Sequence, residues 1–125
     1  MAGIVLVVED DEMVADVVRI NLSAHGFEVV HAPNGAAGLA AIAQQRPDLV
    51  LLDVMMPEVD GWTMLTRLRE TADTASLPVV MLTAKTMPAD QVRGYNLGAN
   101  GYLTKPFSSA DLLSKVQEVL RDSGG

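Results

Sequence analysis

The sequence predicts an α/β domain built on a parallel sheet. Five short apolar runs alternate with segments of helical spacing, and each run stops abruptly at polar residues. Such continuous apolar runs are what strands look like when helices cover both faces of a sheet. The length, 125 residues, fits one domain and leaves little room for a second.

The first run, residues 4–8, is wholly apolar and ends at Glu9-Asp10-Asp11-Glu12. Met13, Val14, Val17, Val18 and Leu22 then recur at helical spacing as far as Gly26, a stop signal. Residues 27–31 read as a second strand, after which Asn34 caps a small-residue helix carrying Leu39 and Ile42, and Pro47 closes the connection. Residues 49–52 form a third strand that ends in an acid, Asp53. A turn from Pro57 to Gly61 leads into a helix with Met64, Leu65 and Leu68 on one face. Pro78 introduces a fourth strand, 79–82, ending at Thr83. A weaker helix follows over 89–97, then a turn flanked by Gly98 and Gly101, then a short strand, 102–104. Ser108 or Ser109 opens a last helix with Leu112, Leu113, Val116 and Leu120. Residues 1–122 are expected to form one domain, with 123–125 a frayed tail or the start of a linker.

Composition bounds the function. Hydrophobic residues make up 49% of the chain, enough for a core, but only Phe27, Trp62, Tyr95, Tyr102 and Phe107 are aromatic. The formal net charge of −7 argues against this domain gripping nucleic acid or an anionic membrane by itself. With no cysteine, disulfides and thiolate metal sites are excluded. No apolar run reaches the roughly 18–20 residues of a bilayer span, and no signal-peptide pattern opens the chain, so a cytoplasmic protein is expected.

The polar residues fall where the strands end: Glu9-Asp10, Asp53, Thr83 and, nearby, Lys105. In open α/β sheets, sites form at the carboxyl ends of the strands, where strand order reverses. With strand order 2-1-3-4-5, the first and third strands are neighbours, and Glu9, Asp10 and Asp53 converge. Carboxylates this close raise one another's pKa or bind a cation. A hard, all-oxygen pocket suits Mg²⁺, which takes one or two carboxylates, waters and phosphate oxygens. Lys105 and Thr83 on the same rim could hold the oxygens of a transferred phosphoryl group. An aspartate so placed can act as nucleophile and form an acyl phosphate. Each residue also admits a duller role: Asp10 or Asp11 as a helix cap, Asp53 as a turn former, Thr83 as a cap, Lys105 as a solvated side chain.

At this point the chain resembles a response-regulator receiver domain, of the CheY-like superfamily with flavodoxin-like topology, from Ile4 to about Arg121. The matching segments are Val5-Leu6-Val7-Val8-Glu9-Asp10-Asp11, Leu51-Leu52-Asp53-Val54-Met55-Met56-Pro57 with Asp60-Gly61, and Val79-Val80-Met81-Leu82-Thr83-Ala84. They end with Gly98-Ala99-Asn100-Gly101-Tyr102-Leu103-Thr104-Lys105-Pro106-Phe107. The resemblance implies that Asp53 is the phosphoacceptor in a two-component system. Asp10 and Asp53 would bind Mg²⁺ with the backbone carbonyl of Met55, and Glu9 would act at the same ion through water. Thr83 would bond the phosphoryl group, Lys105 would pair with its oxygens, and Tyr102 would be the aromatic that turns inward when Thr83 moves. It also makes the Lys105-Pro106 bond a cis candidate. The implied phosphodonor is a sensor histidine kinase or phosphotransfer protein. The implied target is a separate protein or a fused output domain, reached through the surface of the fourth helix, fifth strand and fifth helix. Such a domain is a switch that phosphorylates and slowly dephosphorylates itself, not an enzyme acting on a free metabolite.

The chain departs from receivers fused to winged-helix DNA-binding domains. Asn100-Gly101 replaces their usual acidic pair, Gln91 stands where a basic residue is common, and Leu113 and Ser114 are uncharged. That puts their dimer mode in question and favours a stand-alone receiver or another output. Met55 and Lys85, two beyond Asp53 and Thr83, should flank the phosphoryl group. A flavin electron carrier would need a phosphate-cradling loop where Glu9-Asp10-Asp11-Glu12 stands. A phosphatase with a nucleophilic aspartate typically has a second aspartate two residues on, and Met55 occupies that position. A receiver fold acting as a binding module without phosphorylation is the remaining alternative.

Overall fold

The computed structural model describes residues 3–56, 60–84 and 98–124 of the chain. Five parallel strands form one sheet in the order β2-β1-β3-β4-β5: β1 (Gly3–Val8), β2 (Phe27–Ala32), β3 (Leu49–Asp53), β4 (Val79–Ala84) and β5 (Gly101–Lys105). Four helices are described: α1 (Glu12–Ser23), α2 (Gly35–Gln44), α3 (Gly61–Glu70) and a C-terminal helix (Ser109–Gly124). The helix expected over 89–97 lies outside the described residues, as do Pro57, Lys85, Gln91 and Tyr95.

Strand alternation sorts the core into two layers. Leu6, Val8, Val50 and Leu52 point to the face where Trp62, Met64, Leu65 and Leu68 of α3 pack. Val5, Val7, Leu49 and Leu51 point to the opposite face, under Ala15, Val18 and Leu22 of α1 and Leu112, Val116 and Val119 of the C-terminal helix. Burial of each such side chain is worth about 1.5–3 kcal/mol, and the two-sided cover is why these strands carry no polar alternation.

Local capping starts each helix where expected. Asp11 Oδ1 accepts from Met13 N–H at 2.9 Å, Asn34 Oδ1 from Ala37 N–H at 2.8 Å, and Asp60 Oδ1 from Thr63 N–H at 2.8 Å. Ser108 Oγ accepts from Asp111 N–H at 3.0 Å, so Ser108 opens the last helix.

Three details differ from the sequence reading. Asp53 and Thr83 lie inside their strands, paired in register with Leu82 and Thr104, because a polar side chain at a strand exit leaves the backbone ladder intact. Gly101 is the first residue of β5, paired with Val80. The apolar residues of α1 divide between two faces: Val18 and Leu22 are buried, while Met13 (78% exposed), Val17 (46%) and Ile20 (65%) point outward.

Gly61, the first residue of α3, sits against the backbone that carries Asp53. A Cβ there would run into the Asp53 carbonyl oxygen and lie 2.9 Å from Val54 Cα. Gly61→Ala is therefore expected to cost about 1–3 kcal/mol of stability, the usual penalty for overpacking. Urea denaturation checks this, and an unchanged midpoint would show that α3 can retreat from β3 freely.

Candidate functional site

The site lies at the carboxyl ends of β1, β3, β4 and β5. Because β1 and β3 are neighbours with Val8 opposite Leu52, the residues after Val8 stand beside Asp53. Oxygen atoms from Glu9, Asp10 and Asp53 come together within 4.8 Å of one another. Glu9 is fully buried, Asp53 is 3% exposed and Asp10 faces solvent. Lys105, the last residue of β5, reaches across the exits of β4 and β3. Its Nζ donates to Glu9 Oε1 at 2.6 Å and lies 3.4 Å from Asp53 Oδ2.

Backbone groups fix the carboxylates. Met55 N–H donates to Asp53 Oδ1 at 3.1 Å and Asp11 N–H donates to Glu9 Oε2 at 3.3 Å. Glu9 N–H donates to the Ala32 carbonyl at 3.0 Å, and the Glu9 carbonyl lies 2.7 Å from His31 Nε2. His31 is a contact that sequence reasoning missed. It meets a backbone atom, so no residue pattern announces it.

Burial, reinforced by the Asp53 carboxylate, pushes the Glu9 carboxyl above its usual range although Lys105 opposes the shift. Burial pulls the Lys105 ammonium down, but its hydrogen bond and attraction to Glu9, together with Asp53, outweigh that and raise it. Glu9 and Asp53 thus share one ammonium, and Asp10 adds a third carboxylate to the cluster. An all-oxygen donor set with surplus negative charge fits a divalent cation of the Mg²⁺ type.

Thr83, at the exit of β4, is 1% exposed, and its Oγ1 has no hydrogen-bond partner among the described residues. Tyr102, on β5, is half-buried against the α3-side core. The Met55 side chain is 63% exposed beside the mouth. Of the residues singled out in the sequence, Glu9, Asp10, Asp53 and Lys105 meet directly; Thr83 and Tyr102 stand on β4 and β5, the pair of strands next in the sheet. Asp11, not Asp10, takes the capping role. The Lys105-Pro106 peptide bond is cis.

The family model of the response regulator receiver domain matches residues 5–117. The chain is 44% identical over 117 residues to the DNA-binding dual master transcriptional regulator RpaA of Synechocystis, a match covering 94% of this chain and 48% of that protein. It is 43% identical over 122 residues to the uncharacterized transcriptional regulatory protein YkoG of Bacillus subtilis, covering 98% and 53% respectively. The chain spans about half the length of these relatives. Among solved structures, a putative response regulator from Chloroflexus aurantiacus superposes with a TM-score of 0.92 at 36% identity, covering 95% of this chain and 98% of that one. The chemotaxis protein CheY4 of Vibrio cholerae superposes at 0.88 with 33% identity, covering 94% and 98%.

A buried hydroxyl without a partner costs about 1–3 kcal/mol. Thr83→Val keeps the shape and removes that hydroxyl, so the variant is expected to unfold at the same or a higher temperature than the wild type. Calorimetry reads the outcome, and a clear loss of stability would mean the hydroxyl is satisfied in solution.

Proposed function

The chain belongs to the receiver-domain family of response regulators, the signal-receiving modules of two-component systems, and we propose that it is a phosphorylation-activated switch with Asp53 as the acceptor. The observation that carries this reading is the acidic cluster of Glu9, Asp10 and Asp53 with Lys105 at its edge.

Asp10 and Asp53 would hold Mg²⁺, with the Met55 carbonyl and, through water, Glu9. When bound, the ion neutralises charge that builds on the phosphoryl oxygens during transfer. An Asp53 carboxylate oxygen attacks phosphorus as the bond to the donor's imidazole nitrogen breaks, and that bond's electron pair stays on nitrogen. The Met55 N–H holds the carboxylate by its Oδ1. Lys105, near Asp53 Oδ2, pairs with the incoming oxygens.

The product puts a charge of about −1.5 to −2 beside Thr83. The Thr83 hydroxyl, without a partner among the described residues, gains an acceptor in the phosphoryl group, moves toward it, and leaves room that Tyr102 fills. That repacking alters the surface carrying β5 and the C-terminal helix, where a partner or output domain would read it. Both conformers exist before phosphorylation, and the phosphoryl group biases them by its differential contacts. The domain consumes no free metabolite, so we read it as a switch and not an enzyme.

A sensor histidine kinase or phosphotransfer protein is the donor in this reading. The match to transcriptional regulators of twice the length supports a fused output, and the net charge of −7 supports DNA contact being left to that output. Those matches span the segment containing Asn100 and Gly101, so the uncharged pair does not by itself exclude that class. No described helix is long and apolar enough to cross a membrane, and a cytoplasmic location is part of the proposal.

Intact-mass spectrometry after incubation with acetyl phosphate tests the acceptor. A Mg²⁺-dependent adduct of about 80 Da, one phosphoryl group, is expected on the wild type and absent from Asp53→Ala. A folded wild type that takes no adduct would leave a binding module that works without phosphorylation as the better account.

A further inference from the structure

Arg69, in the last turn of α3, is half-buried, and its guanidinium makes three hydrogen bonds to two other segments of the chain. Nε donates to the Gly98 carbonyl at 3.0 Å, Nη1 to the Thr74 carbonyl at 3.2 Å, and Nη2 to Asn100 Oδ1 at 2.9 Å. Thr74 belongs to the connection that enters β4. Gly98 and Asn100 belong to the turn that enters β5.

Asn100 completes the joint. Its Oδ1 also accepts from Val79 N–H at 2.9 Å, and its own N–H donates to the Val79 carbonyl at 2.8 Å. Val79 is the first residue of β4, so Asn100 locks the entrance of β5 to the entrance of β4. Gly98 has a φ of +94°, and a Cβ there would lie 3.2 Å from Arg69 Nε, so the turn is shaped around the guanidinium. Only an arginine can serve three acceptors in divergent directions from one planar group; a lysine presents a single point.

The strands pinned here carry, at their opposite ends, the groups assigned to the phosphoryl group: Thr83 on β4 and Lys105 on β5. The metal-binding carboxylates come instead from β1 and β3, which Arg69 does not touch. We infer that Arg69, through Asn100, is a positioning residue for the phosphoryl-sensing half of the site and not for its metal-binding half. This rests on Asp53 being the phosphoacceptor. The joint holds β4 and β5 in one register, so that Thr83 and Lys105 meet the phosphoryl oxygens together.

The test separates the two halves of the site in Arg69→Met, Arg69→Lys, Asn100→Leu and Asn100→Asp. Calorimetric titration gives the affinity for Mg²⁺ alone and for beryllofluoride with Mg²⁺; intact mass gives the rate of phosphorylation by acetyl phosphate. Arg69→Met and Asn100→Leu are expected to keep Mg²⁺ affinity within about twofold. Both should lose about tenfold in beryllofluoride affinity and phosphorylation rate, the scale of coupling within one hydrogen-bond network. Asn100→Asp keeps the acceptor and should match the wild type. Arg69→Lys, which retains the charge and guards against a variant that fails to fold, should fall between. The double variant Arg69→Met with Asn100→Leu should be no worse than either alone. A lowered melting temperature with phosphoryl-analogue affinity and rate unchanged would overturn the inference, leaving a structural anchor only. Equal losses for Mg²⁺ and beryllofluoride would overturn it as well, as general loosening. A wild type that takes no phosphoryl group would remove the phosphoacceptor reading and this inference with it.

Discussion

Three carboxyl groups brought together at the ends of two adjacent strands make a repulsive arrangement that the rest of the domain must support. Glu9 is fully buried, Asp53 nearly so, and one ammonium, that of Lys105, is shared between them. Neither the burial nor the proximity would persist on a yielding scaffold, since relaxing the strands apart would relieve both. What prevents it is that the acids continue buried strands: β1 is held between β2 and β3, and β3 between β1 and β4. The hydrophobic layers on both faces thus hold charges at a separation they would not choose.

Division of labour follows strand by strand. The inner strands β1 and β3 present acids suited to a hard cation, while β4 and β5 present the hydroxyl, the aromatic and the ammonium. Lys105 bridges the two groups, which is why its position at the end of an edge strand matters. The backbone supplies the fine adjustment: the amides of Met55 and Asp11 each hold one carboxylate oxygen, and the close approach of Gly61 ties the start of α3 to the Asp53 carbonyl. A side chain at position 61 would separate the helix from the acid it steadies.

Much of this was legible in the residues because it follows from local rules. Apolar runs ending in acids marked β1 and β3, and Asn34 announced a helix start by residue type. The convergence of Glu9, Asp10 and Asp53 needed only a strand order. Other features were illegible for physical reasons. In α1, Val17 and Val18 are equally apolar yet face opposite ways, and only the placement of the helix on the sheet decides which is covered. His31 and Arg69 act largely on backbone carbonyls, which every residue has, so their partners carry no sequence mark. Asn100 and Gly101, read at first as missing charges, have inward duties. Asn100 accepts two hydrogen bonds, and a Cβ on Gly101 would come within 3.3 Å of both Lys115 and Val119.

The Thr83 hydroxyl, without a partner among the described residues, bears on how the proposed switch would trade silence for speed. A resting conformer that leaves a buried polar group unsatisfied sits closer in free energy to its alternative than one with every bond made. The smaller that gap, the less differential affinity the phosphoryl group must supply to reverse the populations, and the larger the fraction already signalling without it. A sequence that gave Thr83 an internal acceptor would be quieter at rest and harder to turn on. In the proposed switch, such a hydroxyl would set a floor under background output, and selection for a lower floor would act on the neighbours of Thr83 before it acted on the acids.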